Sequence, residues 1–251
     1  MSQPRVALPL VFVHAFPMGP RMWARQMSVI SGRQALAPPL PGFDGHPRVA
    51  EPTMDAYARD VLASLDRAGI DRAIFCGLSL GGYVVFGILR QALDRVGGLI
   101  LADTRTTIDT PERRAARVRS IQTARTAGPP AIADELGPGL VSADTHAKRP
   151  AVDAEIRALI EAQTADAIAD GLQAMMTRPD SAPDLAKARV PTLIIVGADD
   201  GITPVSDARS MQEAIPGSRL VIIPGVGHMS NLEAPEAFNT ALVTFLGEAG
   251  I

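Results

Sequence analysis

One serine lies where its hydroxyl could act as a nucleophile. The segment 76–82 has the sequence CGLSLGG with Ser79 at its centre, and it joins a short apolar run to a longer helical pattern. A Gly-x-Ser-x-Gly turn between strand and helix lifts the hydroxyl above a helix N-terminus, where the dipole and free N–H groups favour developing negative charge. The alternative is a glycine-rich turn in which Ser79 only caps the helix. The strand-turn-helix context favours the nucleophile, and therefore acyl-transfer chemistry.

A serine hydroxyl needs a base within hydrogen-bonding reach, and one histidine is placed to provide it. The chain has four histidines, namely His14, His46, His146 and His228. Only His228 comes just after the last predicted strand, in the segment 224–229 (PGVGHM). A loop there leaves the carboxyl edge of a parallel sheet, the edge at which ligands bind in such folds. We predict that His228 is the base; the alternative is a loop histidine that caps the next helix.

The base needs a carboxylate that fixes its tautomer and stabilises the imidazolium. The segment 197–204 (GADDGITP) follows the penultimate predicted strand and offers Asp199 and Asp200, and Asp103 at the end of another strand is a third candidate. One of the adjacent aspartates is expected to serve its own loop by a side chain to backbone hydrogen bond. Spacing alone leaves the choice among the three open.

These residues must be positioned by regular elements, and the apolar pattern indicates which. Short apolar runs alternate with amphipathic stretches, as in a parallel sheet covered by helices. The predicted strands, nearly continuously apolar as expected for burial on both faces, are Leu8–Val13, Gln34–Ala37, Ala73–Cys76, Gly98–Leu101, Thr192–Val196 and Arg219–Ile223. The predicted helices are Pro20–Ile30, Met54–Ala68, Leu80–Leu93, Asp207–Ile215 and Pro235–Leu246.

Residues 104–186 differ from the rest, because no strand candidate occurs there. We predict a helical lid inserted into a core formed by residues 1–103 and 187–251. The segment contains no Phe, Tyr or Trp, so aliphatic side chains and the adaptable Met175 and Met176 are expected to line what it covers. The arginine-rich run 113–119 (RRAARVR) is interpreted as a solvated helix face, with a phosphate site as the weaker alternative. The predicted lid helices are Pro111–Thr126, Pro129–Leu136, Val152–Ala162 and Ala165–Met176.

Composition excludes several classes of protein. The 251 residues suit one domain with an insertion, and a formal net charge of −3 with scattered Lys and Arg gives no reason to expect a nucleic-acid partner. The single cysteine, Cys76, forms no intrachain disulfide and no cysteine-rich metal site. The apolar run Val6–Phe16 contains Pro9 and His14 and is interpreted as a buried strand rather than a signal peptide. No apolar run reaches the ~20 residues of a membrane span, so a cytoplasmic protein is expected.

Four segments together resemble the α/β-hydrolase superfamily, especially its small lid-bearing esterases, enol-lactonases and cofactor-free haloperoxidases. They are 14–17 (HAFP), 77–82 (GLSLGG), 197–204 and 227–235 (GHMSNLEAP). The order Ser, Asp, His along the chain is that of the fold. The resemblance extends from about Leu8 to Leu246. It implies an α/β fold with a mostly parallel sheet of about six strands, since the two strands that usually come first are not found.

The resemblance also implies roles for individual residues. It assigns the acid to Asp200, ahead of Asp199 and Asp103, and the oxyanion donors to the backbone N–H groups of Leu80 and Phe16. His14-Ala15 stands where the family usually has His-Gly, and alanine disfavours positive φ, so this loop is expected to differ in shape. His14 is expected to be a structural hydrogen-bonding residue.

The expected activity is hydrolysis of a small or medium carboxylic ester or lactone through an acyl-enzyme on Ser79, with no cofactor or metal. The alternatives are a cofactor-free haloperoxidase or perhydrolase, a hydroxynitrile-lyase-like enzyme, and a ligand-binding receptor on the same scaffold. A homo-oligomer is compatible with the sequence. The residues expected to contact substrate are Met18, Trp23, Met175, Met176, Ile202 and Met229. For Trp23 and for each of the methionines, core packing is an equal alternative.

Overall fold

The protein is built on one six-stranded sheet with the strand order β2-β1-β3-β4-β5-β6, and all five pairings are parallel. The computed structural model describes residues 7–251. Val6, the first residue of the apolar run Val6–Phe16, therefore lies outside the described residues. The predicted α/β class is therefore confirmed. The strands are β1 Leu10–Val13, β2 Ala35–Leu36, β3 Ala73–Leu78, β4 Val96–Ala102, β5 Thr192–Gly197 and β6 Arg219–Ile223.

The central strands are buried along their whole length. Every residue of β1, β3, β4 and β5 is buried, as expected for parallel strands covered by helices on both faces. The edge strands β2 and β6 are partly exposed. The predicted strands differ from these at their ends: β3 and β4 are longer than predicted, whereas β1 and β2 are shorter.

Helices follow most strands. The helix α2 begins after Thr53, whose hydroxyl accepts a hydrogen bond from Ala56 N–H at 3.1 Å. The predicted helix Pro20–Ile30 is instead a 3₁₀ turn, Pro20–Trp23, followed by one α-helical turn. No helix within residues 7–251 is both long and apolar enough to cross a membrane. The helices outside the β4–β5 connection are α1 Ala24–Met27, α2 Met54–Arg67, α3 Leu80–Gln91, α9 Val205–Ala214, α10 Ser230–Glu233 and α11 Pro235–Ala249.

The connection between β4 and β5, residues 104–186, consists of helices joined by loops and is called the insertion below. Two predicted helices are joined into α4, whose path is broken at Gly128 with a φ of 78°, just before Pro129 and Pro130. Arg48 donates to Asp166 and Asp170 on α7 at 2.8 and 2.7 Å, which connects the insertion to the core. The helices of the insertion are α4 Pro111–Leu136, α5 Ala143–Lys148, α6 Pro150–Glu161, α7 Ala165–Met176 and α8 Ala182–Leu185.

Candidate active site

Ser79 occupies a strained turn between β3 and α3. Its φ of 54° and ψ of −113° lie outside the regions that non-glycine residues ordinarily adopt. The two flanking glycines make the turn possible: a Cβ on Gly77 would lie 2.5 Å from Gly81 O, and a Cβ on Gly81 would lie 2.0 Å from Val13 O. The Ser79 N–H donates to Ala102 O at 3.0 Å, so β4 holds the turn from the other side.

A continuous chain of hydrogen bonds connects Ser79, His228 and Asp200. Ser79 Oγ lies 2.9 Å from His228 Nε2, and His228 Nδ1 lies 2.8 Å from Asp200 Oδ2. The three residues are 8%, 2% and 4% exposed, so bulk water competes little for these contacts. When Nδ1 donates to the carboxylate, Nε2 presents a lone pair to the serine hydroxyl and can take its proton.

Asp200 is surrounded by donors from its own loop. Its Oδ1 accepts from the N–H groups of Ile202 and Thr203 at 2.8 and 2.9 Å, and its Oδ2 accepts from Thr203 Oγ1 at 2.6 Å. Burial alone would raise the pKa of this carboxyl. The adjacent His228 and the hydrogen bonds outweigh burial, so the pKa of Asp200 is lowered from its ordinary value. The carboxylate therefore stays ionised, as a group that orients an imidazole must.

The two other candidate acids are placed differently. Asp199 is exposed, and its N–H donates to Val226 O at 2.9 Å. Asp103 is buried with a φ of 43°, and it accepts from Gly197 N–H at 2.9 Å and from Ser230 Oγ. Burial raises the pKa of Asp103 well above its ordinary value, and the nearby charge of Asp200 raises it further. Of the three aspartates, only Asp200 contacts His228.

The loop that carries His228 is held by a buried glutamate that the sequence analysis did not identify. Glu233 Oε2 accepts from Gly227 N–H at 2.7 Å, and Glu233 Oε1 accepts from Ser142 Oγ at 2.6 Å. Met229 N–H donates to Leu140 O at 2.8 Å. The insertion therefore contacts the His228 loop directly. The available signal was an acidic residue two positions before Pro235, which begins the last helix.

Two backbone N–H groups near the serine are free. Within residues 7–251, the N–H groups of Phe16 and Leu80 donate to no other residue. His14, two residues before Phe16, is fully buried; its Nε2 accepts from Leu40 N–H at 3.1 Å and its Nδ1 contacts Ala15 O at 3.0 Å. Burial lowers the pKa of His14 to about 4. His14 is therefore a neutral hydrogen-bonding residue that shapes this loop.

Ser79 and His228 open onto a cavity of about 370 Å³. Three predicted residues, Phe16, Met175 and Ile202, line it, and Gly171 on α7 leaves room for the Phe16 ring. The complete lining consists of side chains from the core and the insertion, namely Phe16, Ser79, Tyr83, Arg105, Arg113, Ala116, Arg117, Ser120, Glu135, Leu136, Leu140, Leu172, Met175, Gly201, Ile202 and His228.

Four residues expected to contact substrate lie outside the cavity lining. Trp23 is fully buried in the core, with its ring centroid 5.0 Å from that of Phe12 and 5.9 Å from that of Phe238. Met18 and Met229 are likewise fully buried in the core. Met176 follows the cavity residue Met175 on α7, and successive residues of a helix face different directions. Core packing, the alternative named for these side chains, describes Trp23, Met18 and Met229, whereas Met176 is partly exposed.

The cavity also contains charged residues that the sequence analysis assigned to solvent. Arg113 and Arg117 on α4 line it together with Ser120. Their spacing of four and three residues places them on one face of a helix. That spacing, in an arginine-rich run, was the available signal. Arg114 and Arg119 are exposed, as the hypothesis of a solvated face expects, whereas Arg113 and Arg117 are partly exposed and also line the cavity.

The comparisons with known proteins agree on one family and several related activities. The sequence model described as "Alpha/beta hydrolase family" matches residues 10–241. The chain is similar to 3-oxoadipate enol-lactonase 2 of Acinetobacter baylyi, with 27% identity over 239 residues that cover 93% of this chain and 86% of the relative. It is also similar to a putative carbamate hydrolase, RutD, of Klebsiella pneumoniae, with 33% identity over 206 residues covering 80% and 76%.

A solved structure extends the similarity to the whole fold. The thermophilic esterase of Thermogutta terrifontis, solved with malate bound, superposes with a TM-score of 0.92 and 34% sequence identity. The alignment covers 97% of this chain and 91% of the esterase. These named relatives are hydrolases or lactonases.

Proposed function

The chain belongs to the alpha/beta hydrolase family, and from this premise we propose that it is a serine hydrolase that cleaves a carboxylic ester or lactone through an acyl-enzyme on Ser79. The observation that carries the proposal is the hydrogen-bonded series from Ser79 Oγ through His228 to Asp200, with contacts of 2.9 and 2.8 Å. Such a series converts a weakly nucleophilic hydroxyl into a reactive one.

In the first half of the reaction, His228 Nε2 takes the Ser79 proton while Oγ bonds to the substrate carbonyl carbon. The carbonyl oxygen becomes an oxyanion, and the unpaired N–H groups of Phe16 and Leu80 are the donors proposed to bind it. The carbon–oxygen bond to the leaving group then breaks, and His228 gives its proton to the departing alkoxide. The products of this half are an ester on Ser79 and a free alcohol. When the substrate is a lactone, no alcohol is released, because the new hydroxyl group stays attached to the acyl chain on Ser79.

In the second half, water replaces the alcohol. His228 takes a proton from the water as its oxygen attacks the acyl carbon, and the proton returns to Ser79 Oγ when the acyl bond breaks. Asp200 holds the imidazole orientation throughout and stays ionised. The names of the enol-lactonase and esterase relatives support carboxylic esters and lactones as the substrate class.

We also propose that the insertion, residues 104–186, acts as a lid on the core. The support is the lining of the cavity: Ala116 on α4 and Leu172 on α7 share it with Ser79 and His228 of the core. A cover of this kind excludes water from charge that develops during the reaction, which strengthens the electrostatic interactions there.

The proposal is tested by labelling with a fluorophosphonate probe and measuring the intact mass of the protein. We expect a single adduct on the wild type and on the control variant Ser210→Ala, whose serine lies on α9 away from the cavity. We expect no adduct on Ser79→Ala and much slower labelling of His228→Ala. A folded wild type that gains no adduct and hydrolyses no short-chain ester or lactone would refute the proposed function.

A further inference from the structure

The lining of the Ser79 cavity has an excess of positive charge. It includes three arginines, Arg105, Arg113 and Arg117, and a single acidic residue, Glu135. Neither acyl transfer nor the proposed oxyanion donors require any of these arginines. Charged groups at a buried surface need a partner of opposite charge, so each arginine can be examined for the partner it has.

Other arginines that are wholly or partly buried donate to carboxylates at short distances. Arg90 Nη1 donates to Asp184 at 2.6 Å, and Arg178 Nη2 donates to Asp109 at 3.0 Å. Arg117 of the cavity belongs to the same group, because its Nε donates to Asp109 Oδ2 at 2.6 Å. The charge of Arg117 is therefore balanced within the protein.

Arg105 is different. It is only 7% exposed, yet its guanidinium makes no hydrogen bond to any residue in the range 7–251, and its buried Nε is without a partner there. Its ion pair with Asp207 has 3.7 Å between Nη1 and Oδ2, which exceeds a hydrogen-bond distance. A second cavity arginine, Arg113, donates to the neutral carbonyl oxygen of Ile202 at 3.2 Å. Two arginines of the cavity lining thus have no carboxylate hydrogen-bonded to them among residues 7–251.

We propose that Arg105, assisted by Arg113, binds a carboxylate group of the substrate, so that the preferred substrates are esters or lactones that carry a free carboxylate. This inference rests on the proposed function, because it concerns the substrate of the same serine. The planar guanidinium presents parallel N–H donors that match the two oxygens of a carboxylate. Arg105 follows the carboxyl end of β4 by three residues, so the sheet fixes its position relative to the Ser79 turn.

The test compares substrates that differ only in charge. Monomethyl succinate, glutarate and adipate carry a carboxylate on the acyl side, and the methyl keto-esters with an acetyl group in place of that carboxylate have nearly the same shape. Acetoxyacetate and acetoxyacetone form the corresponding pair with the carboxylate on the alcohol side. The measured quantity is the ratio of kcat/KM for the anionic ester to kcat/KM for its neutral partner.

We expect the wild type to prefer the anionic ester in at least one pair by roughly 10- to 100-fold, the range for a hydrogen bond to a charged group. Arg105→Gln should abolish the preference, with kcat/KM for the anionic ester falling to the value for its neutral partner in the same variant, and Arg105→Lys should restore part of it. Arg113→Gln should reduce it. The matched control is Arg114→Gln, because Arg114 is exposed on the same helix and absent from the lining.

The outcomes separate this inference from the proposed function. A preference that depends on Arg105 supports the inference, and the substrate pair that shows it identifies the side carrying the carboxylate. A wild type that hydrolyses neutral esters equally well or better in every pair overturns the inference and leaves the serine hydrolase intact, and this result needs no variant to fold. A preference that survives Arg105→Gln in a folded variant also overturns it. Absence of both ester hydrolysis and fluorophosphonate labelling overturns the proposed function, and this inference with it.

Discussion

Replacing Asp200 with asparagine tests the proposed mechanism at its most specific point. Asp200 Oδ1 accepts from two backbone N–H groups, those of Ile202 and Thr203. In Asp200→Asn the amide oxygen must keep that position, because the amide nitrogen cannot accept those bonds. The amide NH₂ then faces His228 Nδ1, where Oδ2 stood at 2.8 Å.

A donor at that point reverses the tautomer of the imidazole. With NH₂ opposite Nδ1, the neutral ring keeps its proton on Nε2, which lies 2.9 Å from Ser79 Oγ. The ring can no longer accept the serine proton, although every atom stays near its place. We expect kcat to fall about 10⁴-fold, equivalent to about 5 kcal/mol of transition-state stabilisation.

The assay is hydrolysis of a neutral activated ester, 4-nitrophenyl acetate, at saturating and limiting concentrations, alongside thermal unfolding of each variant. Asp199→Asn is the matched control, since Asp199 is exposed, and we expect its activity within twofold of the wild type. Asp103→Asn tests the third candidate. If folded Asp200→Asn kept a tenth of the wild-type kcat, or if Asp199→Asn lost activity instead, the assignment of the acid and the tautomer argument would both fail.

Three further predictions concern the framework of the site. Gly81→Ala should lower the free energy of unfolding, measured in urea, by ~3 kcal/mol or more, because the added Cβ would lie 2.0 Å from Val13 O. The control Gly139→Ala should not have this effect, since the space around Gly139 is open. Equal losses of stability in the two variants would contradict the steric argument. Glu233→Gln should cost ~1–3 kcal/mol in the same assay and lower kcat more than it changes KM, and unchanged kcat would show that this contact does not position the base. The folded pKa of His14, about 4, lies below the ordinary value of ~6.5, so folding releases a proton between the two. The free energy of unfolding of the wild type, measured by urea titration, should therefore be highest above pH ~6.5 and fall by up to roughly 3 kcal/mol towards pH 4. The variant His14→Gln should lose less over the same range. If the two proteins lost stability equally with falling pH, the assignment to His14 would be refuted.

The sequence was most informative where hydrophobic burial decides the structure. All six strands were located, because strands buried on both faces produce unbroken apolar runs. The ends of the strands were less predictable. The strand β3 continues past Cys76 to Leu78 through Gly77, which has no apolar side chain and is needed because a Cβ there would lie 2.5 Å from Gly81 O. The predicted helix Pro20–Ile30 was wrong at both ends, since Pro20–Trp23 forms a 3₁₀ turn and the α-helix that follows ends at Met27.

The candidate site divides in the same way. The strand-turn-helix pattern predicted Ser79 as the nucleophile, and the position of His228 just after the last strand predicted it as the base; the structure places Ser79 Oγ and His228 Nε2 2.9 Å apart. Spacing could not choose among the aspartates, because that choice depends on which carboxylate the loop turns towards His228. The arginines of α4 were assigned to solvent because a run of arginines reveals nothing about what packs over it.

The contacts between the insertion and the core affect the route by which small molecules enter and leave the cavity. One side is fastened by buried bonds: Met229 N–H to Leu140 O at 2.8 Å and Ser142 Oγ to Glu233 at 2.6 Å. Where α4 meets the Asp200 loop, Arg113 donates to the carbonyl oxygen of Ile202 through a 3.2 Å bond. We expect molecules to enter and leave between α4 and the Asp200 loop, because opening of the buried contacts would displace the loop that carries His228 each time.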